Sequence, residues 1–264
     1  MDYLNALLLG VIEGITEFLP ISSTGHLLIA EHWLGERSEM FNVVIQAGAI
    51  LAVTVIYWQR IVQLFTGWRD PASRSYLLKL IVAFLITAVL GLIAKKMGFQ
   101  LPTTITPVAW ALVLGGIWML AAEAIAARKP PTTEITWLVA VIVGVAQIAA
   151  GIFPGLSRSS STIFAALLFG TGDRAAATEF AFLVGIPTMY AASGYELYNQ
   201  YKLGVTEADW TGLGIAFVAS TITAFIAVKW LLGYIRSHRF TAFAIYRIIL
   251  GAILLGMASI GMIA

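Results

Sequence analysis

The chain has 264 residues, of which 59% are hydrophobic and only 11% charged, against about 25% charged in an ordinary soluble domain. So little polar surface excludes a water-soluble globule, and a formal net charge of +2 whose positives lie between apolar runs excludes nucleic-acid binding. With no cysteine, disulfides and thiolate chemistry are excluded as well.

In chain order, the first apolar stretch covers residues 4–34 and is interrupted at Pro20 and at 22–25. It carries Glu13 and Glu17 and lacks a basic start followed by a small-residue cleavage site, so it reads as a retained segment rather than a signal peptide. Spans are expected at 41–58, 76–94 and 106–127, each close to the roughly 20 residues a helix needs to cross the hydrocarbon core. A second interrupted stretch, 135–169, is broken at 154–161, and further spans are expected at 177–197, 210–235 and 241–263. The predicted fold is an all-α polytopic membrane protein, one integral domain of six spanning helices plus two re-entrant helix-break-helix hairpins. Irregular backbone at membrane depth is tolerated only where protein buries it or it lines a watery cavity, so both breaks predict a site.

Basic residues set the orientation. Arg60, Arg69, Arg74 and Lys79 fill the first sizeable loop, Arg128 and Lys129 the third, and Arg236, His238 and Arg239 the last, whereas the loop of Lys202, Glu207 and Asp209 is net acidic. The positive-inside rule places the first three in the cytoplasm and the acidic one outside; Lys95 and Lys96 run against this count. The first hairpin then enters from outside and the second from the cytoplasm, which makes the halves 1–130 and 131–264 inverted copies. A shift of 134 positions brings Gly10, Val11, Pro20 and Ser23 onto Gly144, Val145, Pro154 and Ser157, and Glu13 onto Gln147. In inverted-repeat membrane proteins the site lies near the midplane where half-helices meet, so the two polar breaks are expected to form two walls of one pocket.

Glu13 and Glu17 are four apart and share a helix face. In an apolar setting such a pair shares a proton, binds a cation or flanks a water-filled cavity. Glu179, at the start of a span, reads as an interface residue or as a support to the site. Ser22, Ser23, Thr24 and His26 follow the acids, so a base, a nucleophile and a proton donor fall within ten residues. The same segment also fits a turn and helix cap, which accounts for the hydroxyls but not for His26. His32 and His238 lack such company and read as interfacial. In the second break, Gly155 permits a bend, and Ser157, Arg158, Ser159, Ser160, Ser161 and Thr162 lead into a helix. A helix start with an arginine and hydroxyls is an anion site suited to phosphate, while the lysine and glycine spacing of a nucleotide P-loop are absent. Arg247, deep in the last span, is expected to face the pocket or a glutamate, with snorkelling to the cytoplasmic face as the alternative. Gly212, Gly214, Ala216 and Ala219 form a small-residue face that permits close packing within the chain or between two chains in a homodimer. These features fit two classes of protein, a membrane phosphohydrolase and a cation- or proton-coupled lipid carrier.

At these residues the sequence resembles the bacterial undecaprenyl-diphosphate phosphatase, or bacitracin-resistance, family. The resemblance rests on "EGITEFLPISSTGH" and "PGLSRSSST", with "FNVVIQAGAILAV", "EFAFLVGIP" and "FAIYR" in the flanking helices, and runs almost end to end. It implies a multi-pass enzyme of the bacterial plasma membrane, with its site opening to the outer side. The implied reaction removes the terminal phosphate of undecaprenyl diphosphate and regenerates the carrier lipid of cell-wall synthesis. By the same resemblance, Glu13 and Glu17 are the acidic pair that activates the nucleophile and holds a divalent cation, Mg²⁺ or Ca²⁺. Ser23 matches the serine proposed as nucleophile and His26 the histidine to which nucleophile and acid/base roles are both assigned, with direct attack by water as the alternative. Ser157, Arg158, Ser159 and Thr162 bind phosphate, and Arg247 is the arginine of the last helix. Ser22 and Thr24 complete the hydroxyl cluster around the substrate.

Overall fold

The computed structural model describes residues 2–97, 104–130, 132–204 and 209–262. Glu207 and the end of the last predicted span at Ile263 lie outside them. The chain opens with α1 (Tyr3–Thr16), capped by the Asp2 carboxylate on the Leu4 amide, followed after a break by α2 (Ser23–Leu34). Then come α3 (Glu39–Ile56), the short α4 (Trp58–Thr66), α5 (Pro71–Lys96) and α6 (Ile105–Ala126). A second broken pair, α7 (Trp137–Ile152) and α8 (Arg158–Phe169), precedes α9 (Arg174–Lys202), α10 (Trp210–Tyr234) and α11 (Thr241–Ser259). Among the described residues there is no strand, only an isolated bridge between Thr132 and Gly172.

Six of these helices, α3, α5, α6, α9, α10 and α11, have the length and apolar composition to cross a membrane, matching the six expected spans. The chain is an all-α, multi-pass membrane protein. Its helix starts are written in polar residues: Ser38, Asp70, Thr136, Asp173 and Asp209 each accept a first-turn amide, and Pro71 follows Asp70 where its missing N–H costs nothing. One expected loop is helical instead. Arg60 lies on α4, and Arg74 and Lys79 on α5. The α4 segment alternates apolar and polar residues too densely to stand out as an apolar run, although it is strongly two-faced, with Trp58 and Phe65 exposed.

Both breaks also end earlier than expected. Ser22 and Ser157, with φ of 73° and 68°, are the only non-glycine residues with positive φ among those described. Each caps the following helix, Ser22 accepting the Gly25 amide at 3.3 Å and Ser157 the Ser160 amide at 3.4 Å. Ser23 and Arg158 therefore begin helices rather than sit in loops. Ser22 and Ser157 thus hold the same place, each capping the helix that follows a proline-containing break, two positions after Pro20 and three after Pro154.

Close backbone packing holds the half-helices in place. Gly10 and Gly14 on α1 face α10 so tightly that a methyl group at either would overlap the carbonyls of Ala216 or Ser220, a small-xxx-small contact. Gly212, Ala216 and Ala219 of the predicted small-residue face are buried inside the chain, whereas Gly214 points to open space. The helices associate in matched pairs: α1 packs on α10 as α7 does on α5, and α3 on α10 as α9 does on α5, while α3 packs against α9 and α6 against α11.

Candidate active site

The break after α1 and the break after α7 meet, Arg158 reaching Glu17 and Ser159 the Leu19 carbonyl, and a cavity of about 600 Å³ opens there. Its polar end is built by Glu17, Ser22, Ser23 and Thr24 from the first break and by Gly155, Ser157 and Arg158 from the second. Phe84, Ala88 and Leu92 of α5, Ile148 of α7, and Ala191 and Ala192 of α9 give it apolar walls. At its mouth stand Lys95, Tyr195 and Glu196, with the Lys95 ammonium 4.1 Å from the Tyr195 ring centre.

Glu17 is the hub. It follows α1 directly as its C-cap and is 8% exposed. One carboxylate oxygen, Oε2, accepts the Ser23 hydroxyl. The other, Oε1, takes Arg158 Nη2 at 3.2 Å and Gln46 Nε2 at 3.5 Å. An acid, a hydroxyl and a guanidinium from two distant parts of the chain thus meet at one point. The carboxylate is placed to take the serine proton, and the arginine to meet an anion.

The remaining residues expected to bind phosphate divide. Ser157 lines the cavity and lies 3.0 Å from Ser159 Oγ. Ser159 donates to the Leu19 carbonyl at 3.1 Å, which ties the second break onto the first. Thr162 donates back to the Arg158 carbonyl at 2.8 Å. Ser159 and Thr162 face a small recess on the other side of the Glu17–Arg158 pair, beside Phe18 and Phe182, rather than the main cavity.

Two sequence-predicted residues are placed elsewhere. His26 is outside the cavity lining: Nδ1 is 2.7 Å from the Ser22 carbonyl and must donate to it, which leaves Nε2 to accept from Tyr246 at 2.6 Å, with the two rings stacked. Arg247 faces neither the cavity nor a glutamate, and it does not snorkel, being 0% exposed. Its guanidinium donates to Ser160 Oγ at 2.8 Å and to the carbonyls of Gly155 at 2.9 Å, Leu156 at 3.0 Å, Ala111 at 3.2 Å and Pro20 at 3.5 Å. A broken helix leaves carbonyls without intrahelical partners. Arg247 gathers them from both breaks, and this is how a lone buried cation is accommodated.

Glu179 sits away from the cavity with Arg60 at 2.9 Å and the Tyr76 hydroxyl at 3.4 Å, and His32 and His238 are exposed. Sequence reasoning missed Gln46 on α3, Thr87 on α5 and Thr188 on α9, which line the cavity. The signal was available, since each is a polar side chain inside an apolar span.

Glu13, one turn before Glu17, is 1% exposed, lies against the Glu17 carboxylate, and leaves Oε2 without a hydrogen-bond partner. Among the described residues no third carboxylate or imidazole joins the pair to complete a protein-only metal cage. The oxygen donors fit Mg²⁺, which is typically held by one or two carboxylates and completed by substrate phosphates and water.

The family model described as bacitracin resistance protein BacA matches residues 6–253. Among similar proteins, an undecaprenyl-diphosphatase of Rhizobium johnstonii is 72% identical over 265 residues, covering 100% of both chains. One of Rhizobium etli is 73% identical with the same coverage. One of Xanthomonas euvesicatoria is 61% identical over 255 residues, 96% of each chain. The chain therefore belongs to the bacitracin resistance protein BacA family.

Proposed function

We propose that the chain is an undecaprenyl-diphosphate phosphatase, cleaving the terminal phosphate to leave undecaprenyl phosphate and inorganic phosphate. The observation that carries this reading is the junction at Glu17, where Ser23 and Arg158 meet at the polar end of a cavity with apolar walls. Relatives bearing that enzyme's name over the full chain support it, whereas the lipid-carrier alternative has no such support.

Arg158 and the Ser157 hydroxyl receive the terminal phosphoryl group, and the prenyl chain lies along the apolar walls. Glu17 takes the proton of Ser23 as Oγ forms a bond to the terminal phosphorus. The bond from phosphorus to the bridging oxygen breaks, and Glu17 returns the proton to the departing monophosphate. Arg158 faces the negative charge that spreads over the phosphoryl oxygens. Water then releases phosphate from Ser23. Glu13 and Glu17 would hold a divalent cation, Mg²⁺ or Ca²⁺, which when bound supplies charge neutralisation at the phosphoryl oxygens.

The cavity mouth lies toward the C-terminal ends of α5 and α9, remote from Arg74 at the N-terminal end of α5 and from Arg60 of α4, which pairs with Glu179 near the N-terminal end of α9. With the basic end in the cytoplasm, the site opens to the outer face of the bacterial plasma membrane. The matched helix pairs and twin caps support reading 1–130 and 131–264 as inverted copies. A homodimer remains part of the proposal only through Gly214 and the outward faces of the spans.

The test is phosphate release from undecaprenyl diphosphate by the purified protein in detergent with Mg²⁺ or Ca²⁺. Release that disappears in Arg158→Ala supports the reading. No release from intact substrate by a folded protein overturns it.

A further inference from the structure

Among the described residues that line the cavity, two are cations, Arg158 at its polar end and Lys95 at its mouth. Arg158 is paired with Glu17. Lys95 takes no part in the scheme above. Its ammonium rests on the Tyr195 ring, 4.1 Å from the ring centre, and among the described residues no carboxylate lies within ion-pair distance of it. Glu196, which also stands at the mouth, accepts Gln200 Nε2 at 3.0 Å instead.

Helix register fixes the depth of Lys95. The helices α5 and α7 run side by side in the same direction: Thr87 donates to the Gly144 carbonyl at 2.9 Å, and a methyl group at Gly91 would come within 3.5 Å of the Ile148 side chain. A step of four along one helix thus answers to a step of four along the other. Lys95, the next such step beyond Gly91, is therefore level with Ile152, the last residue of α7. The second break begins there, and it leads to Ser157 and Arg158. On α5, Phe84, Thr87, Ala88, Gly91 and Leu92 form a stripe along the cavity at helical spacing, and Lys95 ends it.

Lys95 and Lys96 both run against the positive-inside count, but only Lys95 lines the cavity. An ammonium against an exposed ring is held weakly beside a charged hydrogen bond to a phosphate oxygen. Tyr195 is 43% exposed. The ring therefore keeps the lysine over the mouth without neutralising it.

Resting on the hydrolase reading, we propose that Lys95 is a substrate-binding residue that captures the diphosphate head of the lipid at the cavity mouth. As the head enters, the ammonium exchanges the Tyr195 ring for a phosphate oxygen, outward of the phosphoryl group held by Arg158. This contact is the same before and during phosphoryl transfer, so it lowers KM and leaves kcat alone.

The test measures steady-state phosphate release from undecaprenyl diphosphate by wild type, Lys95→Met, Lys95→Arg and Lys96→Met, with thermal unfolding in detergent as the check on folding. Lys95→Met keeps the reach of the side chain and removes its charge. Its KM is expected to rise about tenfold, as one charged hydrogen bond is lost, with kcat within about twofold of wild type. Lys95→Arg keeps most of the wild-type affinity, and Lys96→Met leaves KM unchanged. An unchanged KM in Lys95→Met overturns the inference. So does an equal rise in Lys96→Met, which would make the effect one of net surface charge, or a loss of kcat at constant KM. If Lys95→Met does not fold, Lys95→Gln takes its place with the same expectation. Failure of the wild type to release phosphate overturns the hydrolase reading, whereas release with a KM indifferent to Lys95 overturns this inference alone.

Discussion

Arg158 Nη2 lies 3.2 Å from Glu17 Oε1, although 141 positions separate the two residues. This ion pair spans the two broken helices, and it leaves the second oxygen of Glu17 for Ser23. In the proposed reaction the base and the phosphate ligand are therefore coupled before substrate arrives.

Glu17→Gln keeps the shape and the contact with Ser23 but removes the proton acceptor. We expect kcat to fall by about 10²- to 10⁴-fold. Ser23→Ala should fall as far, and the double variant little further, because the two act as one unit. Steady-state phosphate release by the three proteins checks this, and additive losses would separate the roles.

Arg247 should behave as a structural residue. Arg247→Met leaves the carbonyls of Gly155, Leu156 and Ala111 unpaired, each at about 1–3 kcal/mol. A substantially lowered unfolding temperature in detergent is expected. Gly115→Leu should resemble it, because a side chain there would overlap the guanidinium. An Arg247→Met protein with wild-type thermal stability and a raised KM would instead place the arginine on the substrate.

Glu13→Gln should act through the cation. Chelation is expected to abolish phosphate release, with Mg²⁺ or Ca²⁺ restoring it, and the half-saturating metal concentration should rise about tenfold or more in the variant. An unchanged metal titration would remove Glu13 from the cation site.

Tyr246→Phe removes the hydrogen bond to His26 Nε2. With the Nδ1 contact to Ser22 intact, the loss should be near 1 kcal/mol of stability, with only a few-fold change in kcat. A loss as large as that in Glu17→Gln would show that the imidazole enters the chemistry.

Much of this arrangement was legible in the sequence. Pro20 and Pro154, each followed by serines inside an apolar stretch, announce broken helices, because such backbone must be buried in protein or line water. What was not legible depends on atoms contributed from elsewhere. The positive φ of Ser22 and Ser157 is held by tertiary packing, so the helix starts were set too late. Arg247 was expected to face the pocket or a glutamate, because counting charges says nothing of the carbonyls freed by the breaks. His26 stands three positions from Ser23, yet its ring nitrogens are claimed by a local carbonyl and by Tyr246, 220 positions on.

The clasp formed by Arg247 has a temporal consequence. It belongs to α11, the last described helix, and it joins carbonyls from breaks made much earlier in translation. Ribosome and insertion machinery deliver the acid, the serine and the phosphate ligand first, with their supporting backbone still unsecured. In the proposed enzyme, activity is then a property the chain acquires only when α11 has entered the bilayer, so a product stalled before it would reach the membrane without a competent site.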